Sequence, residues 1–163
     1  MDVKYINPFI SSITNAMETM LGVTVEMQPI FLKSEKLTHG DVSGIIGFGG
    51  KDISGSVVLS FPTDTALKVY EKMMGEPAMR IDSDVQDTIG ELANIVAGGA
   101  KKDFSEDGLS FHISIPTVVV GKNHSLGYKI DIPAVVIPFK IGKNSFTLEV
   151  SMKINNSDLL NRK

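Results

Sequence analysis

The chain of 163 residues has no cysteine, no excess of basic residues and no long hydrophobic run. Without cysteine it cannot hold a disulfide framework, a zinc–thiolate cluster or a thiol nucleophile. The formal net charge of −3 leaves no basic stripe to neutralise phosphates, which argues against a nucleic-acid binder. No apolar run approaches the roughly 18 residues that a membrane-spanning helix needs.

The composition that remains is ordinary for a soluble globular protein, with 42% hydrophobic and 21% charged residues. A chain of this length predicts a single domain over residues 1–163, large enough to bury a core. Residues 1–8 lack the basic region and the apolar stretch of a secretory signal. These features together predict a cytoplasmic protein.

Apolar residues at helical spacing predict three helices. The first starts with asparagine as N-cap and proline at the first helical position, where its missing N–H costs nothing. Glycine follows the first and second helices, as expected at a left-handed stop. The first helix is predicted from its cap Asn7 to Gly22. The second is predicted from a cap at Thr63 or Asp64 to Gly75, and the third from a cap at Ser83 or Asp84 to about Phe104.

Alternating and apolar runs predict six strands and a polar tail at about residues 155–163. The order is one helix, three strands and two helices, followed by three more strands, and it indicates an approximate internal duplication. We expect an α+β fold in which helices cover one face of an antiparallel sheet. The predicted strands are Val23 to Leu32, Val42 to Phe48, Ser54 to Phe61, Ser110 to Val120, Tyr128 to Ile137 and Ser145 to Ile154.

The third helix carries an unusual polar face. Glu91 and Asn94 are three residues apart and are therefore neighbours on the helix surface. Five further residues lie within about 40° of Glu91 on the helical wheel: Asp84, Asp87, Ile95, Gly98 and Lys102. The opposite side carries an apolar stripe suited to a core: Val85, Ile89, Leu92, Val96 and Phe104.

Two glycines in the middle of this helix favour a functional interpretation of the polar face. Each of Gly98 and Gly99 costs on the order of 1 kcal/mol relative to alanine. A helix keeps such residues where something must approach its backbone closely. Gly98 lies only about 20° from Glu91, so an external partner is expected there. Gly99 points elsewhere and suits tight packing inside the fold.

Less specific interpretations stay open at this point. Glu91 and Asn94 could be ordinary polar residues on a solvated face. The acids in the first part of the helix could suggest a magnesium or calcium site: Asp82, Asp84, Asp87 and Glu91. However, the helix dipole favours such acids without a metal, and their spacing does not match a calcium loop. The three histidines show neither metal-ligand spacing nor triad order: His39, His112 and His124.

With these residues the chain resembles the CheC/CheX/FliY family of bacterial chemotaxis phosphatases, and within it the single-motif, CheX-like branch. The resemblance covers most of the chain. The matching segments are Gly90 to Ile95 with Ala97 and Gly98, Asp64 to Val69 with Met73 to Gly75, Ile115 to Val119 with Gly121, and Leu21 with Gly22.

The resemblance implies dephosphorylation of a phospho-aspartyl response regulator of the CheY type. Asn94 is expected to orient the attacking water, and Glu91 to pair with a lysine of the regulator. Asp87, Ile95, Gly98 and Lys102 are expected to contact the same partner. Any magnesium is expected to belong to the regulator, with no cofactor in this chain, and a homodimer through a sheet edge is implied.

Two questions stay open from the sequence. The same exposed helix could serve a non-catalytic adaptor that binds a receiver domain or a flagellar switch component. The first helix could also hold a second motif, since Asn15 matches Asn94 when the two helices are superposed by hand. Ser12 then stands where Glu91 would be required, which makes a second active site doubtful.

Overall fold

One antiparallel sheet spans the part of the chain that the structure describes. The structure is a computed structural model, and it describes residues 2–34, 40–122, 124–126, 132–156 and 158. The strands are β1 (Glu26–Met27), β2 (Phe31–Leu32), β3 (Val42–Gly49), β4 (Ile53–Phe61), β5 (His112–Ile113), β6 (Thr117–Val120), β7 (Ala134–Ile141) and β8 (Asn144–Ile154).

The strand order shows the internal duplication that the sequence predicts. Each half of the chain supplies a hairpin, β3–β4 or β7–β8, and the two hairpins meet where β4 pairs with β8. The short strands are exchanged between the halves. Strands β1 and β2 pair with β7 of the second half, while β5 and β6 pair with β3 of the first half.

Three helices cover one face of the sheet: α1 (Asn7–Ala16), α2 (Thr63–Met74) and α3 (Ser83–Glu106). A π-helical turn, Met17–Leu21, extends α1. Gly22 (φ 67°) and Gly75 (φ 75°) adopt the left-handed conformation after the first and second helices, which confirms the predicted stops. The α+β prediction is confirmed.

The core lies between the helices and the sheet face that they cover. The alternating residues of β8 point into it, as their period-2 pattern predicts. Phe61 and Phe146 stack at 5.2 Å between ring centroids, and Phe146 stacks in turn on Phe139 at 5.2 Å. These aromatic contacts join strands of both halves, so the two halves share one core.

Part of the far face of the sheet is buried as well. Lys33, just after β2, donates to both carboxylate oxygens of Glu149 on β8, at 2.7 and 2.8 Å. Both side chains are almost fully enclosed. Ser43 bonds to Ser60 across β3 and β4 at 2.6 Å. A buried charge is tolerated only when it is paired in this way. The ion pair also ties the end of β2 to β8, although the strand that pairs with β2 is β7.

Two predicted strands are each split in the structure. The run from Val23 to Leu32 forms only β1 and β2, because Pro29 between them has no N–H for the ladder. The run from Ser110 to Val120 forms β5 and β6, and Pro116 precedes the second of them. In both breaks, three residues face two on the neighbouring strand, which is the signature of a β-bulge.

The remaining strand predictions agree more closely. The strands from Val42, Ser54 and Ser145 match β3, β4 and β8 to within one residue. The strand predicted from Tyr128 to Ile137 is shifted, since β7 starts at Ala134 and continues through Pro138 to Ile141. Residues 128–131 of that prediction, and most of the predicted tail after residue 156, lie outside the described residues.

The caps predicted for the first two helices, Asn7 and then Thr63 or Asp64, are wrong. Asn7 lies in the first turn of α1, whose start follows directly from a 3-10 turn over Val3–Tyr5. The carbonyl of Ile6 accepts the N–H of Phe9 and of Ile10, so no side-chain cap is needed there. Helix α2 is capped from outside its own segment, through Asp41.

Asp41 precedes β3 and accepts two hydrogen bonds from the first residue of α2. The Thr63 hydroxyl donates at 2.8 Å and the Thr63 N–H at 2.9 Å. The hydroxyl, and then the backbone N–H, lower the pKa of Asp41 below its ordinary value. This tertiary cap fixes the position of α2 on the sheet.

Candidate functional site

Helix α3 starts at a side-chain cap one residue earlier than the sequence predicts. Asp82 has an extended backbone, and its carboxylate accepts the N–H of Val85 at 3.0 Å. Ser83 and Asp84 were the predicted caps, but both already lie inside the helix. The cap gives Asp82 a structural role, in agreement with the preference for carboxylates at a helix start.

The contact between α3 and β3 sets the orientation of the helix. A Cβ placed on Gly44 of β3 would lie 3.0 Å from the Cβ of Ala93 and 3.0 Å from the carbonyl oxygen of Ile89. The glycine therefore allows the helix to lie directly against the strand. Because Ile89 and Ala93 are buried there, residues on the other side of α3 face away from the sheet.

The structure places five of the six predicted site residues on the outward side of α3, while the sixth, Ile95, lies at its margin and packs against the core. Their exposure differs along the helix. Glu91, Asp87 and Lys102 are exposed, whereas Asn94, Ile95 and Gly98 are half-buried. Among the described residues, neither the Glu91 carboxylate nor the Asn94 amide has a hydrogen-bond or ion-pair partner. Both polar groups are thus available to another molecule.

The two mid-helix glycines differ in their surroundings, as expected from the helical wheel. A Cβ on Gly98 would meet no described atom within 4 Å. A Cβ on Gly99 would collide with the Oγ of Ser12 on α1. Gly99 therefore permits close packing of α1 on α3, while the space beside Gly98 is open.

The outward face of α3 has a definite border on each side. Helix α1 closes one side at the contact between Ser12 and Gly99. On the other side, a Cβ on Gly90 would lie 3.2 Å from Val118 and 3.6 Å from Pro116. The face is therefore a shelf between α1 and the segment that leads into β6, and we call it the α3 shelf.

Charge changes sign along the α3 shelf between Asp84 and Lys102, before the exposed Glu106 ends the helix. Asp84, Asp87 and Glu91 are exposed in its first half, and the exposed Lys102 lies in the second half beside the half-buried Lys101. Lys101 was not singled out from the sequence. Its spacing of seven residues from Asn94 could have identified it, because residues seven apart share a helix face.

The first helix offers no matching pair of groups. Ser12 is half-buried with its side chain against α3, while Asn15 is exposed. A longer acid at position 12 would meet the helix that Gly99 allows to approach. The next acid along the chain, Glu18, is six residues from Ser12 and lies within the π-helical turn.

The histidines that the structure describes have other surroundings. His124 lies between the Ser43 hydroxyl, 2.8 Å from Nε2, and the Gly121 carbonyl, 2.7 Å from Nδ1. It therefore lies against Ser43 on the far face of the sheet. His112 is exposed on β5, and His39 lies outside the described residues. In the described part of the chain, no three His, Asp or Glu side chains are grouped so as to hold a metal.

No helix in the described ranges is long and apolar enough to cross a membrane.

Comparison with known proteins places this geometry in a family. A family model described as Chemotaxis phosphatase CheX matches residues 42–140. The chain is 31% identical over 158 residues to the CheY-P phosphatase CheX of Thermotoga maritima, covering 94% of this chain and 98% of that protein.

Solved structures show the same likeness. A CheC-like superfamily protein from Shewanella sp. PV-4 superposes with a TM-score of 0.88 and 37% identity, over 94% of this chain and 99% of that one. The structure of a CheX–CheY–BeF3–Mg complex from Borrelia burgdorferi contains a chain that matches with a TM-score of 0.80 and 28% identity, over 93% and 99% of the two chains.

The segment matched by the family model starts at the first residue of β3, the strand beneath α3. It contains all of α3 and both short strands that border the α3 shelf. The relatives cover almost the whole length of the chain. On sequence and on structure alike, the chain belongs to the CheX family of chemotaxis phosphatases.

Proposed function

We propose that this protein removes the phosphoryl group from the phospho-aspartate of a CheY-like receiver domain in the cytoplasm. The observation that carries the proposal is the pair Glu91 and Asn94, which lie one turn apart on the α3 shelf without partners among the described residues. The name of the Thermotoga maritima relative and the complex of the Borrelia burgdorferi relative with CheY support the same partner.

Asn94 orients the attacking water in this proposal. A carboxamide can accept a hydrogen bond from the water and donate one at the same time. It is neutral, so the phosphoryl oxygens do not repel it as they would a carboxylate. Phosphoryl transfer has a loose transition state, and placing the water in line is therefore much of the catalytic task.

The bond changes in the proposed reaction are simple. The water oxygen bonds to phosphorus while the bond from phosphorus to the aspartate oxygen breaks. The aspartate leaves as a carboxylate, and inorganic phosphate is the second product. Magnesium held by the receiver domain offsets the negative charge of the phosphoryl group, and this chain supplies no cofactor.

Glu91 holds the two proteins in register in this proposal. Its carboxylate pairs with a lysine beside the phosphorylated site of the receiver. Asp87 and Lys102 extend the charged contact to either side, Ile95 adds an apolar contact, and Gly98 lets a receiver loop lie against the helix backbone. The sign change along the α3 shelf predicts a receiver surface with the reverse order of charges.

A homodimer through a sheet edge is part of the same proposal. The outer edge at β1 and β2 carries exposed apolar side chains, including Met27, Phe31 and Leu32. The bulge at Pro29 interrupts the backbone ladder of this edge, so the proposed dimer contact is formed chiefly by these apolar side chains. Sedimentation of the purified protein over a concentration series measures its assembly state.

The deciding experiment measures phosphate release from a CheY-like receiver domain that has been phosphorylated with acetyl phosphate. The protein is added at one twentieth of the receiver concentration. Release of several equivalents of phosphate per molecule above the spontaneous rate supports the phosphatase. Saturable binding of the receiver without turnover supports instead a non-catalytic adaptor that uses the same shelf.

A further inference from the structure

A β-bulge borders the α3 shelf on the side of β5 and β6. Ile113 of β5 pairs with Phe48, and Thr117 of β6 pairs with Ile45. Between these two pairs, residues 114–116 oppose only residues 46–47 of β3. The edge therefore contains one extra residue, and a bulge of this kind redirects a side chain out of the regular alternation.

The bulge is held firmly in place. The Ser114 N–H donates to the Gly47 carbonyl at 2.8 Å, and the Ser114 Oγ accepts the Gly47 N–H at 2.9 Å. The same hydroxyl donates to the carbonyl of Ile115 at 3.0 Å. Pro116 then fixes the backbone and packs over Gly90. The conformation of Ile115 is thus set by contacts on both sides of it.

Ile115 itself is 85% exposed. Single exposed apolar residues are common on protein surfaces and need no explanation by themselves. This one is held on a bonded bulge whose next residue covers Gly90. Gly90 and Asn94 are four residues apart, hence on the same side of α3 and about 6 Å from each other. The isoleucine therefore borders the part of the shelf that carries the carboxamide.

We propose that Ile115 is a docking residue that seats the receiver domain against the α3 shelf, an inference that rests on the proposed phosphatase function. It inserts into an apolar patch of the receiver beside the phosphorylated aspartate. Glu91 and Ile115 then hold the partner from two directions, with Asn94 between the apolar and the charged contact. Two attachment points fix an orientation that one ion pair cannot.

A second copy of this chain is a less suitable occupant of the same edge. Strand pairing needs a regular row of backbone donors and acceptors, and the bulge interrupts that row. Pro116 removes a further donor, and both features are known protections against edge pairing. The exposed isoleucine is therefore assigned to a side-chain contact with the receiver.

The test compares Ile115→Ser with Val120→Ser. Val120 is also exposed, at 45%, and lies on the same edge roughly 15 Å further along the strand. Steady-state phosphate release is measured for both variants, the wild type and Ile115→Val. Loss of a buried aliphatic contact predicts a KM about tenfold higher for Ile115→Ser at unchanged kcat. Val120→Ser is expected to stay within twofold of the wild type. Ile115→Val keeps most of the aliphatic contact, so its KM is expected to lie between those of the wild type and Ile115→Ser.

The outcomes separate the inference from the function on which it rests. If the wild type is active and Ile115→Ser has the same KM, the docking role is overturned while the proposed phosphatase function stands. A lower melting temperature for Ile115→Ser than for Val120→Ser overturns it as well, by assigning Ile115 to folding. If the protein is a dimer and only Ile115→Ser dissociates it, the docking role is overturned, because Ile115 then contacts a second copy of this chain. A wild type without activity overturns the proposed function itself.

Discussion

The Oγ of Ser12 on α1 occupies the space that a Cβ on Gly99 of α3 would need. One residue earlier, Gly98 faces open space. Neighbouring glycines of one helix thus serve an internal contact and a free surface. The difference can be tested separately at each position.

We expect Gly99→Ala to be less stable than Gly98→Ala, because overpacking a close contact costs about 1–3 kcal/mol and offsets the gain in helix propensity of up to about 1 kcal/mol. The measurement is the free energy of unfolding in urea. Ser12→Ala removes the colliding oxygen, so the double variant should recover part of the loss. If the loss of stability in the double variant equals the sum of the losses in the two single variants, a direct contact between these positions is contradicted.

Gly98→Ala is expected to stabilise the fold. Alanine is favoured over glycine by up to about 1 kcal/mol within a helix, and nothing described obstructs the new methyl group. If a receiver loop lies against this position, the same variant should raise KM severalfold. A more stable protein with unchanged KM would remove Gly98 from the proposed interface.

Asn94→Ala should reduce kcat by roughly a hundredfold or more, because the variant loses the group that positions the water. Binding to a receiver loaded with beryllofluoride should change little, and the melting temperature should stay close to that of the wild type. Asn15→Ala is the matched control, since Asn15 is an exposed asparagine on α1. Full phosphatase activity in Asn94→Ala would refute the assigned role.

Glu91→Ala should chiefly weaken association with the receiver, by about tenfold in KM, and Glu91→Lys should weaken it more. The difference between wild type and variant should shrink as salt is added, since the contact is electrostatic. Glu106→Lys provides a control, because Glu106 is an exposed acid at the far end of the same helix. A loss confined to kcat would speak against a docking role for Glu91.

The cap from Asp41 predicts a defined pH dependence of stability. The pKa of Asp41 is lowered in the folded protein, so its contribution is complete above the ordinary aspartate range. That contribution is lost as the pH falls through the lowered pKa. Urea unfolding of the wild type and of Asp41→Asn should therefore differ at pH 7 and converge in acid.

The size of the Asp41 effect follows from its geometry. Loss of a helix cap costs about 1 kcal/mol, and this value is expected for the difference at neutral pH. Asp87→Asn is the control, since the described residues offer the Asp87 carboxylate no hydrogen-bond donor. A difference that persists unchanged at pH 3 would show that the ionised form of Asp41 is not what stabilises α2.

Helical periodicity was enough to predict the outward face of α3 from the sequence. Gly44 and Gly99 bring β3 and α1 against opposite sides of this helix, in agreement with the apolar stripe and the glycine pair. The residues of the apolar stripe and of the glycine pair all lie on α3, within about four helical turns of Glu91. Local patterns of this kind are readable because burial repeats with the period of the helix.

The features that depend on distant parts of the chain could not be predicted from the sequence. The cap of α2 comes from Asp41, 22 residues before Thr63. The bulge that presents Ile115 exists only because residues 113 and 117 pair with β3, some 65 to 72 residues earlier. The alternation of a strand does not show how many residues its neighbour places opposite it.

The exchange of short strands has a consequence for the half of the chain that lacks the Glu91 and Asn94 pair. Strand β3 belongs to that half, yet it supports α3 and carries the bulged edge beside it. The second half alone would keep every proposed reactive group but lose the surface that aims them. The first half therefore takes no part in the proposed chemistry but is required for it. Its sequence can change only as far as the packing of α3 and the bulged edge allows.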